Sequence, residues 1–189
     1  PCCPENYRPI SVVGLVTKLV HYAMYFALVP AVVPQILKHD VQYAFVEGNS
    51  VARLCAMANS HVAQSANNAI LIADLKGAYD AVSHDILLQT VSANLGPGWT
   101  RAVANILRSQ CFRVVLASGF SPTISMHVGL MQGSPVSCLL FDLLTMRKPQ
   151  GLARSMHMYA DDALVLTDIE HAQSDTNRIV TWASDLGLS

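Results

Sequence analysis

The stretch MHMYADDALVL, residues 156–166, sets two aspartates side by side between two apolar runs. Only 13 of the 189 residues are Asp or Glu, so adjacent carboxylates in an apolar setting are unusual here. Neighbouring carboxylates repel, and burial against apolar strands increases the cost of keeping both ionised. The pattern predicts two short strands, 156–160 and 163–167, joined at Asp161 and Asp162.

The Asp pair is a poor choice for a two-residue turn, because such turns favour Asn-Gly or Asp-Gly. A continuous apolar run, AILIAD at 69–74, predicts a buried strand that ends at a third carboxylate, Asp74. If that strand lies beside the hairpin, oxygen ligands converge at one sheet edge and suit a hard cation such as Mg²⁺. Spacing alone leaves a second interpretation open, in which the pair is a solvated turn and Asp74 the polar end of a strand.

The remaining pattern predicts helices alternating with short strands, which is typical of the α+β class. An uncharged run at 19–37 is long enough to span a membrane, but its prolines favour a buried helix interrupted at Pro30. Asn49 and Ser50 are placed to cap one helix, and Ser83 is placed to cap another. Helices are predicted at 16–29, from 51 onward, from the Ser83 cap through 94, and at 99–110, 135–146 and 172–186. Two β-prone runs are predicted at 111–118 and 121–128.

Composition indicates a folded domain, since 52% of the residues are apolar and 13% are charged. The formal charge of −1 is not that of a complete nucleic-acid-binding domain, which usually carries a basic excess. Five cysteines in irregular spacing, with no CxxC pair, favour neither a zinc site nor a disulfide framework. We expect a reduced, intracellular protein, nuclear or cytoplasmic, without a signal peptide or membrane association.

Five segments carry a family resemblance: NYRPISVVGLVTKLV at 6–20, QYAFVEGNSVARL at 42–54, ADLKGAYDAVSHDIL at 73–87, GLMQGSPVSCLLF at 129–141 and YADD at 159–162. In this order they resemble the reverse transcriptase domain of non-LTR retrotransposons. The resemblance implies RNA-directed DNA polymerase activity, with an RNA template, a DNA primer and dNTPs as partners. It also implies a right-hand palm with partial fingers, in which an antiparallel catalytic sheet packs on helices. We expect a fingers-like part at 1–68, a palm at 69–189 and no thumb.

Carried over to this sequence, the resemblance makes Asp74 and Asp161 the main metal ligands, with Asp162 a supporting carboxylate. Two Mg²⁺ ions are implied, with Mn²⁺ as an alternative. One would lower the pKa of the primer 3′-OH, and the other would hold the triphosphate and the leaving pyrophosphate.

The same resemblance implies a nucleotide-binding set. Tyr79 matches an aromatic gate against the 2′-OH of ribonucleotides, although a lone Tyr is more often an ordinary core residue. Gln132 and Gly133 match a loop that contacts the nucleotide and the template base. Arg8 and Lys18 resemble positions that neutralise the triphosphate. Asp80, by contrast, is interpreted as structural.

The sequence departs from the family pattern at two positions: Cys138 replaces a proline and Ala44 replaces a glycine, which would strain the chain if φ is positive there. Alternatives from other classes are a truncated or decayed retroelement fragment without polymerase activity, and an unrelated Mg²⁺-dependent phosphohydrolase. The oligomeric state is left open.

Overall fold

The computed structural model of the protein describes residues 11–117 and 119–188. Helices and short antiparallel strands alternate along this part of the chain, which confirms the predicted α+β class. The elements are α1 (Leu15–His39), α2 (Val51–Gln64), β1 (Asn68–Asp74), α3 (Ala78–Ala81), α4 (His84–Leu95), α5 (Pro97–Ser109), β2 (Cys111–Phe112), β3 (Val115–Leu116), β4 (Gly119–Phe120), β5 (Ile124–Ser125), α6 (Pro135–Thr145), β6 (Ser155–Tyr159), β7 (Asp162–Asp168) and α7 (Ala172–Asp185).

Several predicted helices begin where a polar side chain caps them. The Ser50 hydroxyl accepts a hydrogen bond from the backbone N–H of Arg53, and the Ser83 hydroxyl accepts one from that of Ile86. Each satisfies an N–H group that the first helical turn leaves without a partner. These two caps confirm the predicted starts of α2 and α4.

The central sheet is antiparallel and has the strand order β1-β7-β6. The chain just after α1 borders the free side of β6: the Tyr43 N–H donates to Met158 O at 2.8 Å, and the Met158 N–H donates to Val41 O at 2.7 Å. The predicted β-prone runs at 111–118 and 121–128 form only two-residue ladders, β2 with β5 and β3 with β4. The sheet therefore consists of the apolar run and the acidic hairpin.

Strand β1 was predicted to be buried, and that prediction was wrong. Its side chains are only half-buried or exposed, and Ile72 is 79% exposed. Within the described residues β1 pairs with β7 alone, so one of its sides lies at the edge of the sheet. A continuous apolar run does not by itself distinguish an edge strand from a central one.

Helix α6 lies at the centre of the hydrophobic core. Residues 136–146 are all buried except for the half-buried Cys138. One side of the helix receives α1, whose residues Leu28, Val32 and Ile36 repeat at a spacing of four and are almost fully buried. This packing joins the N-terminal helix and the sheet region in one core.

The prediction that the first helix breaks at Pro30 was also wrong, because α1 continues through both Pro30 and Pro34. The prolines are exposed, whereas Leu28, Val32 and Ile36 are buried. Positions two residues apart lie on nearly opposite sides of a helix. The hydrogen bonds that proline cannot donate are thus missing on the side facing water, where solvent replaces them.

Helix α1 is also long and apolar enough to cross a membrane by length and composition. Only 17% of the most apolar 18-residue stretch of α1 is buried. The expectation of a buried helix therefore holds for one face alone. Core helices of soluble proteins meet the same length and composition criteria. The buried face of α1 packs against α6.

Asp142 is a carboxyl group inside this core. It is 0% exposed, and neither of its oxygens has a hydrogen-bond partner among the described residues. Desolvation raises the pKa of Asp142 to about 8, because burial disfavours the charged form. The side chain is therefore largely neutral in the folded protein at pH 7.

We predict that Asp142→Asn removes a pH dependence of stability. The folded protein holds a proton between about pH 4 and pH 8 that the unfolded chain releases, so its free energy of unfolding falls as pH rises through this window. The variant should lose most of this slope and exceed the wild type at pH 8 by more than about 1.4 kcal/mol, the equivalent of one pKa unit. Urea unfolding at pH 5 and pH 8 measures the effect.

The matched control is Asp185→Asn, at an exposed position at the end of α7, which should keep the wild-type slope. An Asp142→Asn protein with an unchanged slope would show that Asp142 does not retain its proton in the folded state.

Candidate active site

Strands β1 and β7 place two carboxylates directly opposite each other. Asp74 and Asp162 are partners in the antiparallel register, so their side chains lie on the same face of the sheet. Cβ atoms of such partners lie about 4.5–5.5 Å apart. The chain after β1 also reaches the hairpin turn, where the Leu75 N–H donates to Asp161 O at 3.3 Å. The predicted neighbourhood of β1 and the acidic hairpin is confirmed.

The turn itself differs from the prediction. Tyr159 pairs with Asp162, so the two turn residues are Ala160 and Asp161, and Asp162 is the first residue of β7. Ala160 has φ of 55°, a left-handed conformation that is uncommon for a residue with a Cβ atom. Positive φ at the first turn position is found in type II′ and I′ turns, which match the twist of the strands. The unusual turn residue is thus Ala160 rather than the aspartates.

None of the carboxylates of Asp74, Asp161 and Asp162 accepts a hydrogen bond or forms an ion pair within residues 11–117 and 119–188. In the same residues no three acidic, His or Cys side chains converge as a metal site, so the structure does not show the three-carboxylate convergence. Mg²⁺ is usually held by one or two carboxylates together with substrate phosphates and water. The facing pair of oxygen donors therefore fits a hard divalent cation.

Tyr79 lies in the short helix α3, which directly follows β1. Its ring is half-buried and stacks on that of Phe141 in α6, with centroids 4.6 Å apart and an interplanar angle of 16°. Burial raises the pKa of Tyr79, with smaller contributions from neighbouring groups that include Asp161. The ring is thus held against the core helix α6, shortly after the strand that ends at Asp74.

The loop that contains Gln132 is fastened to α3. The N–H of Leu130 donates to Tyr79 O at 2.7 Å, and that of Gly129 donates to Val82 O at 2.8 Å. Gly129 has φ of +88°, and a Cβ atom there would lie 2.8 Å from Asp80 O, so only glycine fits. This close approach places the loop beside Tyr79.

Asp80 has a further contact that sequence analysis missed. The Gln132 side-chain amide donates to both Asp80 carboxylate oxygens, at 3.2 and 3.3 Å. The interpretation of Asp80 as structural is compatible with this contact, but its partner lies 52 positions away and no local pattern indicated it. Asp80 therefore orients one of the predicted nucleotide-binding side chains.

Fewer contacts define the positions of the other predicted nucleotide-binding residues. Gly133 has φ of +98°, and a Cβ atom there would lie 3.1 Å from Ser11 O, which brings the start of the described chain beside this loop. Lys18 is exposed in the first turns of α1. Arg8 lies outside the described residues.

The departure at Ala44 causes no backbone strain. Ala44 is fully buried, and the positive φ of this segment, 55°, occurs instead at its neighbour Phe45. Cys138 lies inside α6 as a half-buried free thiol, one turn after the helix begins. Neither residue alters the strands that carry the carboxylates.

A well-formed groove of the described chain lies elsewhere. It has a volume of about 560 Å³ between α4, the end of α6 and α7, and includes none of the three carboxylates. Asp74 and Asp162 are instead exposed at the border of the sheet. An open position of this kind is accessible to a long polymer as well as to a small molecule.

Comparison with known proteins agrees with this geometry. The sequence profile of the family described as "Reverse transcriptase (RNA-dependent DNA polymerase)" matches residues 3–189. A curated relative, "Probable RNA-directed DNA polymerase from transposon BS" of Drosophila melanogaster, is 27% identical over 178 residues. That match covers 86% of this chain but only 19% of the relative, so the chain spans about a fifth of its length.

Solved structures with a similar fold include telomerases. Telomerase from Candida albicans, in complex with a fragment of telomeric RNA, superimposes with a TM-score of 0.59 at 11% identity, covering 92% of this chain and 33% of that one. Apo telomerase from Candida tropicalis, truncated from its C-terminal domain, gives 0.56 at 14%, covering 92% and 38%. At these identities the likeness shows a common palm fold.

We predict that the facing carboxylates destabilise the protein when no cation is present. In EDTA, Asp162→Asn should raise the free energy of unfolding by about 0.5 kcal/mol, because like charges directly opposite each other repel. Asp74→Asn should produce a similar gain, measured by urea unfolding at low ionic strength.

A double-mutant cycle provides the control. Both single changes relieve the same repulsion, so the double variant should gain little beyond either one. Gains that add fully in the double variant would show that the two carboxylates do not interact.

Proposed function

Because this chain belongs to the reverse transcriptase (RNA-dependent DNA polymerase) family, we propose that it is the palm-containing part of a retrotransposon enzyme that copies RNA into DNA. The observation that carries the proposal is the pair of facing carboxylates, Asp74 and Asp162, with Asp161 in the adjoining turn. Phosphoryl transfer needs positioning and charge stabilisation more than covalent chemistry, and carboxylates at an open sheet border supply the cation ligands for it. The retained acidic set favours the enzyme over a decayed fragment.

Members of this family use divalent metal ions. For this chain we propose two Mg²⁺ ions, with Mn²⁺ as an alternative, and assign Asp74 and Asp161 as the main ligands beside Asp162. When bound, the metal would lower the pKa of a primer 3′-OH and stabilise the charge of the triphosphate. The protein's own contribution is to hold carboxylate oxygens together at the sheet border, where β1 and β7 fix their separation.

Tyr79 is proposed as the gate that separates deoxyribonucleotides from ribonucleotides. The stacking of the Tyr79 ring on Phe141 supports this proposal, because a ring packed against the core cannot easily move aside for a 2′-OH. Gln132 is proposed to contact the nucleotide and the template base. Its side-chain carbonyl oxygen is available for this contact, because only its amide nitrogen bonds Asp80. Gly133 would permit close approach of the backbone.

The remaining assignments rest on the family pattern. Arg8 and Lys18 are proposed to neutralise the triphosphate, and a DNA primer and dNTPs are the proposed partners beside an RNA template. Residues 1–68 are proposed as the fingers-like part and 69–189 as the palm. An intracellular location is supported by free thiols at Cys55, Cys111 and Cys138.

We predict that Asp161→Asn abolishes polymerisation without unfolding the protein. Removing one charge from the cation ligands should lower primer extension by about 100-fold or more, while the circular dichroism spectrum stays unchanged. The assay uses a homopolymer RNA template, a DNA primer, Mg²⁺ and a labelled dNTP, with this chain and with one extended by its genomic continuation.

Asp185→Asn, which changes an exposed carboxylate of α7, is the matched control and should extend the primer normally. Extension retained by Asp161→Asn would remove Asp161 from the catalytic set. No extension by either wild-type chain would refute the proposed activity for this sequence.

We predict that Tyr79→Val admits ribonucleotides. The smaller side chain leaves space for the 2′-OH, so the preference for dNTP over rNTP, as a ratio of kcat/KM values, should fall roughly 10- to 100-fold. Tyr79→Phe is the control, because it keeps the ring that stacks on Phe141 and should keep the preference. Unchanged discrimination in Tyr79→Val would exclude the gate.

A further inference from the structure

Gln42 contacts the strained turn residue of the acidic hairpin from the side opposite β1. Its side-chain Oε1 accepts a hydrogen bond from the Ala160 N–H at 3.0 Å, and its Nε2 donates to the Ala160 carbonyl at 3.2 Å. One polar group of each of the two peptide units that flank Ala160 is thus bonded to the same side-chain amide. The contact spans 118 positions of sequence.

The Gln42 side chain is itself held firmly. It is 1% exposed, its Oε1 also accepts from the Tyr43 N–H at 3.2 Å, and its Nε2 also donates to the Thr145 hydroxyl at 3.1 Å. That hydroxyl in turn donates to Phe141 O at 2.9 Å, inside the central helix α6. The amide is therefore connected to the segment beside β6 and to the core, and cannot follow a movement of the turn.

Without such a contact, the turn conformation would be unfavourable. Ala160 carries a Cβ atom at φ of 55°, a conformation that persists only when its surroundings impose it. The next residue is Asp161, so any change in the Ala160 backbone reorients that carboxylate relative to Asp74. A glutamine that binds the Ala160 N–H and carbonyl together selects one turn conformation.

We propose that Gln42 is a positioning residue, which holds Ala160 in its left-handed conformation and thereby places Asp161 for catalysis. The catalytic part of this inference rests on the proposed function. The structural part, that Gln42 holds the turn, rests on the hydrogen bonds alone. Gln42 acts through the turn and has no contact with substrate in the proposal.

The test begins with Gln42→Met, which keeps the length of the side chain and removes both its donor and its acceptor. The Ala160 amide should exchange with solvent at least about tenfold faster, whereas the Met158 amide, bonded to Val41 O, should remain protected. Primer extension should lose roughly 10- to 100-fold in kcat with little change in the KM for dNTP, because a small misplacement affects the chemical step.

Two further variants separate positioning from ordinary core packing. Ala160→Gly in the Gln42→Met background should recover part of the lost kcat, since glycine adopts positive φ without strain. Thr145→Val, which leaves Gln42 in place but removes one of its partners, should show a smaller loss in the same direction. Gln64→Met makes the same chemical change at an exposed position of α2 and should behave as the wild type.

Val91→Ala controls for stability, because it weakens the core at α4, outside the sheet that carries the hairpin. Unchanged Ala160 exchange in Gln42→Met would overturn the proposal. So would a kcat loss no larger than that of an equally destabilised Val91→Ala protein, or a loss that Ala160→Gly does not relieve. If the wild type does not extend primers, the proposed function fails, and amide exchange alone still decides whether Gln42 holds the turn.

Discussion

The antiparallel register of β1 and β7 is the constraint on which the site depends. It sets Asp74 opposite Asp162 and accumulates negative charge at the border of an otherwise apolar sheet. Because side chains alternate between the faces of a strand, a slip of one residue would turn one of the two carboxylates toward the core. The buried Ala163 and Val165 of β7 therefore define the position of the acidic pair.

Around this pair, the protein uses distant segments to fix groups that the sheet cannot fix. Phe141 supports the ring of Tyr79, Asp80 orients Gln132, and Gln42 binds the backbone of Ala160. Two of these supports lead back to α6, either by aromatic stacking or through Thr145. The central helix thus does more than fill the core, since it connects the sheet border, the short helix α3 and the segment beside β6.

Much of the element order was predictable from local signals. Serine caps and the apolar runs gave the correct places of α2, α4, α6 and the hairpin strands, because these signals act within a few residues. The turn was misplaced by one residue, since only the pairing of Asp162 with Tyr159 and with Asp74 shows that Asp162 belongs to a strand. The continuity of α1 through its prolines depends on which face meets α6, and the contacts of Gln42 and Asp80 cross 118 and 52 positions. Such long-range contacts leave no trace in the spacing of a single sequence.

Within the residues that the structure describes, one edge of β1 has no partner strand, which has a consequence for solubility. An apolar strand that pairs on one side only presents unpaired backbone groups and is a template for a strand of another molecule. Ile72 increases this tendency, whereas the charged end of the strand at Asp74 opposes it. Neutralising that charge with a cation would remove part of the barrier to self-association, because a charge that flanks an apolar strand is the usual gatekeeper against aggregation.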